Sequence, residues 1–237
     1  MNTKTDGIIF DLDGTILDTI TDLSNSVNEA LKTYGFPGHT EAEYKLIIGN
    51  GFENLIRTSL PAAETFSAEK SYEETVKAVL NTFVGIYREH YMDFTAPYEG
   101  IHEMLRNIRD RGILMGVNSN KREDYTAALI RKHFPDIPFA AVIGQRADLP
   151  KKPDPAAAFL IADRMAEQLG KASREMLTIA YIGDSKVDMK TARNADMISC
   201  GVTWGFRGEQ ELLENGAEHI FRRPEEIAAW AHKEAGK

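Results

Sequence analysis

Asp11 and Asp13 stand two residues apart at the end of the apolar run Gly7-Ile8-Ile9-Phe10. Side chains at i and i+2 of an extended chain point the same way. Both carboxylates are therefore predicted to project from a strand's end into one site. Gly14 lets the chain turn directly after them. Two carboxylates this close repel one another unless a cation or a shared proton intervenes. Alone, the pair would also suit a polar turn, with Thr15 or Asp18 capping the helix that follows.

The pair is not alone. Apolar Ile113–Val117 runs into Asn118-Ser119-Asn120-Lys121. Thr178–Ile182 runs into Gly183-Asp184, with Asp188 one helical turn on. A fourth apolar run, Phe139–Ile143, leads into a loop carrying Lys151-Lys152-Pro153-Asp154-Pro155. Each run has the length of a buried strand, and helical patterns separate them at 101–111, 123–133 and 156–169. Strand 198–204, a short helix at 210–214, an edge strand 219–221 and a helix 225–232 complete the chain. Strands alternating with helices predict a parallel sheet covered on both faces, with right-handed crossovers. In such a sheet ligands bind beyond the strands' carboxyl ends, where strand order reverses. All four polar endings would then share one rim.

The segment between Asp18 and Asp93 breaks this rhythm. Helical periodicity fills 19–34, 40–48, 52–60 and a long stretch opened by Ser67 or Ser71 and ending near Tyr91. Thr40 with Glu43 forms a capping box. The expected architecture is α/β: a doubly wound parallel sheet from residues 1–17 plus 96–237, with a helical cap domain, 18–95, inserted after the first strand. Hinges are expected near 17–19 and 94–98.

At the predicted rim, Asp11, Asp13, Asp184 and Asp188 bring four carboxylates against one lysine, Lys152. Such a cluster is stable only with a bound cation. Oxygen ligands without nearby His or Cys favour Mg²⁺ over zinc. A hydroxyl, a lysine and backbone amides beside Mg²⁺ make a phosphoryl-binding site. The chemistry implied is Mg²⁺-dependent phosphoryl transfer with a carboxylate available as nucleophile.

Asp11-Leu12-Asp13-Gly14-Thr15, Ser119-Asn120-Lys121, Lys152-Pro153-Asp154-Pro155 and Gly183-Asp184-Ser185-x-x-Asp188 resemble, in order and context, the four motifs of the haloacid dehalogenase superfamily, whose core sheet is Rossmann-like. Within it the chain looks like the phosphoglycolate phosphatase group; Gly49-Asn50-Gly51 and Val202-Thr203-Trp204-Gly205-Phe206-Arg207 add to the likeness. The resemblance implies roles. Asp11 would attack phosphorus and form an aspartyl-phosphate. Asp13 would protonate the leaving alcohol and then deprotonate water. Ser119 and Lys152 would hold the phosphoryl oxygens. Asp11, the backbone carbonyl of Asp13 and Asp184 would bind Mg²⁺, with Asp188 acting directly or through water. The helical insert would be a cap that closes over the site and reads the leaving group. Asn50 and Arg57 in that insert are candidate substrate contacts. Asn120 and Lys121 are read as structural or as supports for the residues that touch substrate, outside the catalytic set, and Asn120, beside Ser119, also stands as a candidate binding residue.

The expected substrate is a small phosphorylated metabolite, with 2-phosphoglycolate first. Rival readings are a phosphosugar mutase of the β-phosphoglucomutase type, or a pyrophosphatase or nucleotidase of the same superfamily. Mutases of that type usually differ where this chain has Thr15 and Gly183. A dehalogenase would need neither a metal nor the second Asp, and a non-catalytic protein would lack at least one motif residue. The net charge of −8 argues against a nucleic-acid footprint. Cys200 is the only cysteine, so no internal disulfide forms. No run reaches membrane-spanning length, and a cytoplasmic monomer or small homo-oligomer is expected.

Overall fold

Ile8, Ile9 and Phe10 are fully buried, and with Gly7 they form β1 (Gly7–Phe10) of the computed structural model, which describes residues 5–66 and 71–231. After Gly14 comes the two-residue strand β2 (Leu17–Asp18). Helices α1 (Ile20–Thr33), α2 (Glu41–Ile47), α3 (Phe52–Ser59) and α4 (Tyr72–His90) follow, and then the two-residue β3 (Ala96–Pro97). The rest of the chain alternates: α5 (Ile101–Asp110), β4 (Leu114–Arg122), α6 (Glu123–His133), β5 (Phe139–Gln145), α7 (Ala156–Gln168), β6 (Ile179–Gly183), α8 (Lys186–Asn194), β7 (Ile198–Val202), α9 (Glu209–Glu214), β8 (His219–Phe221) and α10 (Pro224–Trp230).

Six strands form one parallel sheet in the order β5-β4-β1-β6-β7-β8. Strand order reverses about β1, so the crevice lies beyond the ends of β4, β1 and β6. Register fixes what meets there. Phe10 pairs with Val117 on one side and Ile182 on the other, so Asp11, Asn118 and Gly183 stand at one level across the sheet. Beneath them, Ile161 and Met165 of α7 pack with Ile9, Tyr181 and Ile179 in one apolar cluster.

The chain divides into two compact units, Met1–Asp18 with Pro97–Lys237 and Thr19–Ala96. Each boundary falls one residue beyond the position expected from the sequence. In the helical unit α1 packs on α2 and α4, and α3 on α4. The Thr40–Glu43 capping box is present. Phe52 meets Phe83 and Tyr87 edge-on, at centroid distances of 4.9 and 5.3 Å. The Asp22 carboxylate accepts from the Phe94 and Thr95 amides and from the Thr95 hydroxyl. That closes the unit's two ends on each other.

Two local expectations change, and one open alternative is settled. Neither Thr15 nor Asp18 caps α1; the N-cap is Thr19, without a side-chain bond. The Leu12 carbonyl instead accepts from the amides of Thr15, Ile16 and Leu17, which curls the chain after Gly14, and Leu17–Asp18 extends before the helix starts. β4 does not stop at Val117; it continues to Arg122, because Asn118 pairs with Ile143 and Arg122 with Gln145. Ser71 caps α4 and accepts from the Glu74 amide; Ser67 and His232 lie outside the described residues. Among the described residues no helix is long and apolar enough to cross a membrane.

Candidate active site

β1 ends by delivering Asp11 into the crevice. Its amide donates to the Ile182 carbonyl at 2.9 Å, and its Oδ1 accepts from the Leu12 amide at 2.7 Å. The same oxygen accepts from Lys152 Nζ at 2.7 Å, and Lys152 also donates to Asp188 Oδ1 at 2.7 Å. The Lys152 side chain is 3% exposed and that of Asp188 is 0% exposed, so this ammonium is reached from within the site. Asp11, Asp184 and Asp188 each offer an oxygen within 4.8 Å of the others.

Lys152 sits on the loop between β5 and α7, outside both elements. Asn120 supplies its support. Lys152 N donates to Asn120 Oδ1 at 2.9 Å, and Asn120 Nδ2 donates to Lys152 O at 3.2 Å. The sequence reading held Asn120 both as a support and as a binding candidate; the structure shows its amide bonded to the lysine's backbone. Tyr181 of β6, buried below, places its hydroxyl 3.4 Å from the Asn118 carbonyl and beside Lys152.

Asp184 and Asp188 follow β6. Either could have served only to cap α8, but the N-cap is Ser185. Asp188 Oδ2 accepts from the Ser185 amide and hydroxyl at 3.1 and 2.6 Å, while its other oxygen holds Lys152. Its capping role and its site role coexist. Asp184 Oδ2 accepts from the Phe206 amide at 2.6 Å. That amide belongs to the loop after β7, which also sends Trp204 Nε1 to the Thr15 carbonyl at 2.9 Å. Gly205 makes the approach possible. A Cβ there would lie 2.2 Å from the Gly14 carbonyl oxygen and 2.5 Å from the Asp184 side chain. Nothing in the sequence beyond a weak family likeness marked this loop, because its contribution is backbone.

The electrostatics follow from burial. Removal from water, then the Asp188 charge, pushes the Asp11 carboxyl well above the ordinary carboxylate range, and Lys152 only partly offsets this. Asp184 is pushed up to about 7 by burial and by Asp188, against the Phe206 amide and the Arg207 charge. Burial pulls Lys152 down, but the Asp11 and Asp188 carboxylates outweigh it and leave the ammonium firmly protonated. Burial, then the charges of Asp18, Asp184 and Asp13, raise the pKa of the hydroxyl of Tyr98, just after β3. The site holds more negative charge than its one bridging lysine can balance.

Ser119 and Lys121 come from the end of β4. Three residues lie between Asn118 and Arg122 where only one lies between their partners on β5. The surplus bulges 119–121 off the ladder. Ser119 is 4% exposed, and its Oγ accepts from the Lys121 amide at 3.1 Å, leaving its own proton to donate. It does not cap α6, whose N-cap is Arg122. Asp13 is bound separately from the acidic cluster: Lys121 Nζ donates to Asp13 Oδ1 at 2.9 Å. Lys121 is therefore a residue of the site that the sequence reading set aside.

Of the helical-unit candidates, Asn50 is exposed in a turn flanked by Gly49 and Gly51, both at positive φ. Arg57 is held by its own unit. Its guanidinium donates to Glu53 and, on two nitrogens, to Glu73 at 2.7 Å.

Residues 8–202 match the family described as haloacid dehalogenase-like hydrolase. The chain belongs to that family. Its relatives include a phosphoglycolate phosphatase of Vibrio vulnificus strain CMCP6, 31% identical over 90% of both chains, and one of Haemophilus influenzae strain 86-028NP, 28% identical over 93% of this chain and 96% of the relative. A crystal structure from Lactobacillus delbrueckii subsp. bulgaricus, provisionally assigned as a phosphoglycolate phosphatase, superposes with a TM-score of 0.84 at 29% identity, over 98% of this chain and all of the other. The haloacid dehalogenase-like hydrolase is thus an enzyme of the phosphatase type, similar to phosphoglycolate phosphatases, and its core has the family's sheet.

Proposed function

We propose that this hydrolase is a Mg²⁺-dependent phosphomonoesterase that works through an aspartyl-phosphate on a small phosphorylated metabolite, with 2-phosphoglycolate the first candidate. One observation carries the reading. Lys152 bridges Asp11 and Asp188 inside a buried cluster of three carboxylates that repel one another. An all-oxygen donor set with surplus negative charge suits a hard divalent cation. Asp11, Asp184 and the Asp13 carbonyl would hold it. Asp188, whose oxygens already serve Ser185 and Lys152, would act through water. When bound, Mg²⁺ would offset charge on the phosphoryl oxygens and the nucleophile.

The chain's own residues do the rest. Asp11 Oδ attacks phosphorus; its position is fixed by the Leu12 amide and Lys152. Lys152 and the Ser119 hydroxyl stabilise the equatorial oxygens. As the P–O ester bond breaks, its electron pair stays on the alcohol oxygen, which takes a proton from Asp13. Asp13 then takes a proton from water, whose oxygen attacks the aspartyl-phosphate. The P–O bond to Asp11 breaks, and phosphate leaves with Asp11 restored. The 2-phosphoglycolate assignment draws on the activity that the relatives' names carry.

The test is phosphate release with Mg²⁺ across a panel of small phosphate esters, with Asp11→Asn beside the wild type. Release by the wild type alone is expected. A wild type inactive on every ester, or an equally active variant, ends the proposal.

A further inference from the structure

The site's lysines divide the labour. Lys152 serves Asp11 and Asp188, whereas Lys121 serves Asp13. The second pair is not an accident of the surface. The Lys121 side chain is 1% exposed and that of Asp13 is 14% exposed. A buried ammonium without a partner costs several kcal/mol, so the fold must gain something by placing one here.

The bulge in β4 places it. Were 119–121 in regular register, Lys121 would follow the pleat of Ser119; displaced, its amide donates to Ser119 Oγ. Its carbonyl accepts from the Thr126 hydroxyl at 3.2 Å. A Cβ on Gly144 would lie 2.8 Å from that carbonyl, so only glycine lets β5 come this close. With its backbone held on both sides, Lys121 presents its ammonium to Asp13 from inside the protein.

Two roles are open to a cation beside the group that handles the leaving alcohol. It could bind an anionic leaving group, or it could orient Asp13. A side chain 1% exposed is shielded from an arriving ester, whereas Asp13 keeps one side accessible. We propose that Lys121 is a positioning residue: by holding Asp13 Oδ1 it fixes the orientation of the carboxyl group and so the direction in which Asp13 passes the proton. A carboxyl group accepts the Lys121 N–H on Oδ1 whether or not Oδ2 carries hydrogen, so the contact persists through both halves of the reaction. This inference rests on the acid–base role given to Asp13 above.

Leaving-group chemistry tests it. Lys121→Met keeps the length and removes the charge; Lys121→Arg restores a donor. Both are checked for a wild-type circular dichroism spectrum and assayed with 2-phosphoglycolate and 4-nitrophenyl phosphate. An alkyl alcohol needs its proton as the bond breaks, and nitrophenolate does not. Lys121→Met is expected to lose about 100-fold in kcat on the alkyl ester, the lower range for acid–base catalysis, with KM within about threefold. On 4-nitrophenyl phosphate it should release one equivalent of nitrophenolate in a burst and then turn over slowly, because water still needs Asp13. Lys121→Arg should recover about a tenth of the wild-type rate or more. Equal losses on both esters without a burst would overturn the proposal, as would a raised KM for the carboxylate-bearing ester with kcat intact, which would make Lys121 a substrate contact. A wild type that hydrolyses neither ester overturns this inference together with the reading beneath it.

Discussion

The rim of the sheet and the helical unit spend their charged residues differently. At the rim, Asp11, Lys152, Asp184 and Asp188 are buried and held by neighbours from distant segments. In the helical unit, Arg57 is a third exposed and bound by Glu53 and Glu73, in contacts that water can replace. Desolvation is the difference. A charge taken out of water is worth its cost only where it acts on something. The rim therefore reads as chemistry, and Arg57 as a surface pair.

The largest effect that sharpens this contrast is loss of Asp11, the proposed nucleophile. Asp11→Asn should reduce kcat by roughly 10³-fold or more, measured as phosphate release, while the folded spectrum is unchanged. Intact turnover in that variant would dissolve the contrast.

Metal removal comes next. Chelation should abolish activity, and the metal-free protein should become less stable as pH rises. Asp184 has a folded value of about 7 against an ordinary 3.8. The folded state thus holds its proton more tightly, and the associated stability is full below about 3.8 and lost as pH rises through about 7. The loss is on the order of a few kcal/mol. Melting temperature without metal should fall between pH 5 and 8, and Mg²⁺ should raise it more at pH 8. A Mg²⁺ effect independent of pH would count against the carboxylates as its ligands.

A smaller loss is expected from Asn120→Ala, which releases the Lys152 backbone. Misplacing a catalytic group costs about 10- to 100-fold, so kcat should fall within that range while KM holds. A change in KM alone would return Asn120 to substrate binding. Smallest of all, Arg57→Gln should leave kcat unchanged and move the melting temperature by a few degrees at most. A large kcat loss there would put the helical unit on the same footing as the rim.

Much of this was legible in the residues. Asp11, Ser119 and Asp184 could be found because each closely follows an apolar run, and Lys152 because its loop follows another; the strand–helix rhythm dictated a parallel sheet that gathers such endings on one edge. Lys121 was not legible. Its partner depends on a two-residue surplus in β4 relative to β5, and register differences are properties of paired strands rather than of one segment. The turn after Gly14 was misread for a related reason: Thr15 and Asp18 have the side chains of caps, but the Leu12 carbonyl captured the local amides first. Nor could the Phe206 amide be seen, since a backbone donor has no side-chain signature.

That last contact has a consequence for how the enzyme comes into being. Trp204 reaches back across 189 positions to the Thr15 carbonyl, and Gly205 lies against Gly14. The first motif emerges early from the ribosome, yet it acquires this buttress only after the polypeptide has been made through position 206. A nascent chain released between positions 188 and 206 would carry every one of the four motifs and still lack this buttress.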